Sequence, residues 1–211
     1  MKSLNLYVIT AIGIGVIVTF GAIASLSPHT FNLNQNYQSN SASTPPSMLS
    51  LSVSVNSTEI KAGQGVAMDI VLANTSPDVL TINPQHNWPV RQWSILPCLF
   101  HLPFGMALFA GNYSIENMTE GKRLPFYQSG VYMCKTIGIV DYVFQPSSNK
   151  AVIETYNSTN YQVSMQYHIA FDGYYQGQKF QTLTPGVYTI VGDDEWGHLL
   201  INHFTVTNST S

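Results

Sequence analysis

From Leu49 onward the apolar residues recur at every second position. Leu51, Val53 and Val55 alternate with serine, and Val66, Met68, Ile70 and Leu72 alternate with Ala67, Asp69 and Val71. A period of two places each set on one face of a pleated strand. The intervening Lys61-Ala62-Gly63-Gln64-Gly65 has the composition of a turn. Further short strands are predicted at 79–83, 106–110, 131–137, 139–144, 151–156, 161–171, 186–191 and 199–207. No stretch after Leu26 carries an apolar stripe of period 3.6 over helical length. Many short strands separated by turn residues, without helices, point to an all-β sandwich spanning residues 49–211.

The chain ahead of that region is different in kind. Residues 7–26 (YVITAIGIGVIVTFGAIASL) carry no charge and are long enough to cross a hydrocarbon core of about 30 Å. Lys2 precedes them, and the next Lys, Arg, Asp or Glu is Glu59, which orients the N-terminus inward and the remainder outward. Ala22-Ile23-Ala24 also fits a small-x-small cleavage pattern. Residues 1–26 are therefore expected to be a transmembrane helix acting as anchor, or a signal peptide, and either leads to export. Residues 27–48, ending in a Ser/Thr/Pro run, lack apolar periodicity and are read as a spacer.

Composition agrees with an exterior address. Charged residues make up 9% of the chain, against roughly 25% in an average soluble domain. The net charge of -3 offers no basic stripe, which excludes nucleic acid as the expected partner. Six Asn-x-Ser/Thr triplets, at Asn56, Asn74, Asn112, Asn117, Asn157 and Asn208, mark candidate glycosylation sites of a glycoprotein.

The two cysteines, Cys98 and Cys134, admit two readings. In an exported chain with no odd cysteine, the simpler is a disulfide between them, worth about 4 kcal/mol on the loop-entropy model. The other starts from Cys98, His101 and Met106, whose C-x2-H-x4-M spacing resembles the ligand loop of plastocyanin-like cupredoxins. That resemblance implies a type 1 copper site and an electron carrier, with His86 as the remaining imidazole. The readings exclude each other, because a bonded sulfur is lost as a thiolate ligand.

Two segments read Gly-Val-Tyr at an expected strand start, Gly130-Val131-Tyr132 and Gly186-Val187-Tyr188. A tyrosine so placed can turn its hydroxyl back onto the preceding connection, as in Greek-key sandwiches. The first copy, followed by Cys134, resembles the immunoglobulin G-x-Y-x-C signature. It implies an immunoglobulin-like Greek-key β-sandwich as architecture, without membership of the antibody family.

The run Gly192-Asp193-Asp194-Glu195-Trp196-Gly197-His198 is the densest group of acids. Asp193, Asp194 and Glu195 are candidate Ca²⁺ ligands, although a hairpin tip built from turn residues accounts for the same pattern. His168 and His203, within expected strands, are read as packing or rim residues. No G-x-S-x-G, H-E-x-x-H or glycine-rich phosphate loop is present, so the chain is read as no enzyme and is assigned no cofactor.

The general pattern, an apolar N-terminal segment followed by a low-charge sandwich rich in Asn, Ser, Thr and Tyr, resembles extracellular proteins of archaea. The expected function is a structural, adhesion or binding role on the outer face of the cell membrane or in secreted form. Its partners would be the membrane, through residues 1–26, and a cell-surface protein or glycan. A donor-strand filament subunit is the remaining alternative, in which Leu26, Phe31, Leu33 and Tyr37 would fill a neighbour's groove.

Overall fold

The computed structural model describes residues 46–85, 88, 102–118, 121–134 and 137–209. Fourteen strands and no α-helix occur among them. No helix among the described residues is long and apolar enough to cross a membrane, and the segment 7–26 lies outside them.

The alternation at the start of the domain forms a three-stranded antiparallel sheet. Strand β1 (Leu49–Val55) pairs with β3 (Val66–Asn74), and β3 pairs on its other side with β10 (Gln166–Phe171). The even positions of β3, Met68, Ile70 and Leu72, are fully buried, whereas Ala67, Asp69, Val71 and Ala73 are half-exposed. That is the pattern the period-two spacing requires.

A second sheet has the order β2 (Glu59–Lys61), β14 (Leu199–Thr207), β13 (Gly186–Asp194), β5 (Phe104–Ala110) and β6 (Arg123–Leu124). All its pairings are antiparallel except β2 with β14. It packs against the first sheet through Met106, Leu108, Ile190, Phe204 and Val206. The approach is closest at Gly192, where a Cβ would lie 2.3 Å from Val53 Cγ2 and 3.2 Å from Ile70 Cδ1. Strand β5 is buried on both faces because the chain after it folds back over the sheet. Met118 and Tyr113 cover Ala107, Phe109 and Val191 there.

A third sheet, β4 (Leu80–Ile82), β7 (Ile139–Phe144), β8 (Lys150–Thr155) and β9 (Tyr161–Ser164), contributes Tyr142, Phe144 and Ile153 to the same core. The expected strand 161–171 is β9 running into β10. It leaves the third sheet and joins the first at the fully buried Met165, whose carbonyl accepts from Leu72 N–H at 2.9 Å. The arrangement is an all-β fold of several sheets, compatible with a β-sandwich.

Two departures from the sequence expectation concern the same region. The strand expected at 131–137 does not form over its described residues, and Val131 and Met133 are almost wholly exposed. In its place lies a hairpin the apolar pattern did not reveal, β11 (Gly173–Gln176) with β12 (Lys179–Thr182). Few of its side chains are buried, so no alternation betrayed it. Its mark in sequence is the two-residue turn Gly177-Gln178, with Gly177 at a φ of 66°.

The two Gly-Val-Tyr copies therefore have different fates. Tyr188 is buried at the start of β13, and its hydroxyl donates to Thr184 O at 2.8 Å and accepts from Thr184 N–H at 3.0 Å. Its ring stacks on Phe204 at 5.2 Å. Tyr132 also turns back by four residues, to Gln128 O at 2.6 Å, but is exposed and opens no strand. The tyrosine corner belongs to the second copy.

Candidate functional site

The acidic run lies where β13 turns into β14, and its first duty is to make that turn. Asp194 is fully buried. Its Oδ1 accepts from the backbone N–H of Trp196 and of His198, both at 3.0 Å, and its Oδ2 lies 2.6 Å from His198 Nδ1. One side chain thus satisfies donors that a four-residue tip would otherwise leave unpaired, the service short acidic side chains give turns. Glu195 N–H donates to Pro103 O at 2.9 Å, fastening the tip to the run into β5.

Trp196, which is fully buried, inserts from this tip against the third sheet. Its ring meets Tyr142 edge-on at 5.4 Å and Phe144 at 6.1 Å. Its indole N–H donates to Asn83 O at 3.1 Å. Tyr142 is hydrogen-bonded to Glu195, and burial together with the neighbouring carboxylate charge raises the phenol well above its ordinary value of 10.0. Tyr142 therefore stays neutral and donates, while Glu195 accepts.

The candidate calcium ligands Asp193, Asp194 and Glu195 all lie at this hairpin tip. Asp193 and Asp194 are consecutive in an extended strand and face opposite sides of the sheet. Among the described residues no group of three or more His, Cys, Asp or Glu could hold a metal ion. Of the cupredoxin-like set, Met106 points into the core between the first two sheets, and His86, Cys98 and His101 lie outside the described residues. Cys134 is half-buried, and no cysteine among the described residues is free. His168 sits on the exposed face of β10, paired across the ladder with Asp69 at 3.0 Å. His203 Nε2 lies 3.0 Å from Tyr113 O.

A recess that sequence reasoning missed lies beside the β11–β12 hairpin. The chain leaving β6 runs along it: Tyr175 N–H donates to Pro125 O at 2.8 Å, Ser129 N–H donates to Gly177 O at 3.1 Å, and Gln178 Nε2 donates to Ser129 O. Between the two segments is a cleft of about 190 Å³ lined by Arg123, Pro125, Tyr127, Ser129, Tyr175 and Gly177. Two edge-on aromatic pairs flank it, Tyr127 with Tyr132 and Tyr175 with Phe180. The exposed Val131, Met133 and Phe180 belong to the same two segments. Its lining sets two tyrosine rings and Pro125 beside Arg123 and Ser129, and its cue in sequence was the Leu124-Pro125-Phe126-Tyr127 and Tyr174-Tyr175 clusters.

The candidate glycosylation sites divide sharply. Asn56, Asn112, Asn117, Asn157 and Asn208 are exposed. Asn74 is 1% exposed and lies at the end of β3 in the interior. Compared with known proteins, the chain matches no family model and no curated protein.

Proposed function

We propose that this chain is an exported, non-catalytic β-sandwich of the cell surface, anchored or released through its N-terminal segment, with a structural, adhesive or binding role. The observation that carries the reading is what the densest run of acids does. Asp194 ties the β13–β14 tip together and Glu195 is bonded to Tyr142, so the carboxylates best placed for chemistry are engaged in holding the fold.

The finer architecture we propose is immunoglobulin-like. Its support is the strand order: β1-β3-β10 faces a sheet that contains β14-β13-β5, with a tyrosine corner opening β13. Those are the positions of strands A-B-E and G-F-C in such sandwiches. Where that pattern has a cysteine two residues after the tyrosine, this chain has the fully buried Ile190. The disulfide we propose, Cys98 to Cys134, consequently sits elsewhere, and it removes the thiolate that a copper site would need. The cleft beside the β11–β12 hairpin is the proposed contact surface.

Intact mass spectrometry of native protein tests this reading. The expected result is the two-hydrogen deficit of a cystine, with no thiol labelled by a maleimide before reduction and no metal retained. A blue, copper-bearing protein with a reactive thiol would replace the proposal with an electron carrier.

A further inference from the structure

On the reading that the chain is exported and N-glycosylated, we propose that the fold selects among its acceptors by how it holds each asparagine amide: Asn56, Asn117 and Asn157 are presented, and Asn74 is withheld. At the first three the oxygen end is fixed to backbone. Asn56 Oδ1 accepts from Ala67 N–H at 2.8 Å, Asn117 Oδ1 from Ser114 N–H at 2.7 Å, and Asn157 Oδ1 from Thr159 N–H at 3.2 Å. All three residues are exposed. An amide whose oxygen is held inward turns its nitrogen outward, and a glycan on that nitrogen leaves the oxygen's bond intact.

Asn74 is the reverse. Its Nδ2 donates to Asp78 O at 2.7 Å and to Gln145 O at 3.1 Å, while its Oδ1 accepts from Ser76 N–H at 2.8 Å. Both amide hydrogens are engaged, in an interior site: one ties the end of β3 to the connection into β4 through Asp78, the other to the turn between β7 and β8 through Gln145. Attaching a sugar there removes one of those donors and places a bulky polar group where no solvent reaches.

The chemistry needs a lipid-linked sugar diphosphate as donor. Nδ2 forms a bond to C1 of the sugar as the C1–O bond to the diphosphate breaks. The leaving diphosphate keeps the electron pair, and the nitrogen loses one proton, so nothing is oxidised or reduced. Withholding Asn74 follows once β3 and the β7–β8 turn have closed on it.

The test expresses the full chain behind a host secretion signal in a eukaryotic cell that N-glycosylates exported proteins, and maps glycopeptides in the folded, protease-resistant fraction. The expected pattern is glycan at Asn56, Asn117 and Asn157 and none at Asn74. Asn56→Gln, Asn117→Gln and Asn157→Gln should each remove one glycan's mass, whereas Asn74→Gln should lower the melting temperature at unchanged glycan mass. Glycan on Asn74 in the folded fraction, or bare asparagines at the other three positions, overturns the proposal. Natural-source protein without any glycan, beside host-made protein with the expected pattern, overturns the glycoprotein reading and upholds the selection.

Discussion

At the scale of single residues, Tyr142 shows how burial and charge fix a protonation state. Its phenol loses hydration in the core and faces the Glu195 carboxylate, and both effects disfavour the phenolate. In the unfolded chain a tyrosine ionises near its ordinary value of about 10. Above that pH the unfolded state releases a proton that the fold retains. The stability contributed is therefore complete below about pH 10 and is lost as pH rises toward the folded value. Tyr142→Phe removes the titration along with the bond. It should cost about 1–2 kcal/mol at pH 8 and unfold in urea with a shallower alkaline decline than the parent. Tyr167, raised by burial as well, is common to both proteins and does not blur the comparison. Parallel declines between pH 8 and 11.5 would show that Tyr142 is not held neutral by the fold.

Elements reveal what sequence could and could not convey. Where one face is buried and the other wet, as in β3, side-chain alternation identifies the strand and its inward set. The hairpin β11–β12 has little buried surface, so its identity rests on backbone pairing and a turn glycine rather than on apolar period. Identical Gly-Val-Tyr words diverged because the Tyr188 ring is buried against Phe204 of another strand, whereas the Tyr132 ring meets Tyr127 of its own segment and stays exposed. Asn74 was equally opaque, since its triplet is local while Gln145, which helps bury it, lies 71 residues away. The acidic tip was legible as a hairpin, yet its tie to Tyr142 was not. At that tip, Asp194→Ala removes the acceptor for two backbone donors and the His198 ring in a fully buried place. A loss of about 3 kcal/mol is expected by urea unfolding, and a change under 1 kcal/mol would show that the turn holds without it.

Across the whole molecule, the folded part supplies layers, a shared core and an aromatic recess, whereas the proposed exterior address rests on sequence alone, on the uncharged segment 7–26 and the acceptor asparagines. Asp194 and Glu195 are engaged inside the fold, one with the β13–β14 tip and the other with Tyr142. The function proposed above is that of a protein displayed outside the cell. Protease and antibody accessibility of a C-terminal tag on intact cells of the natural source, or its presence in their medium, tests that claim most directly. The account predicts that the tag is cleaved or labelled without lysis, or is recovered outside. A tag reached only after the cells are broken would contradict it.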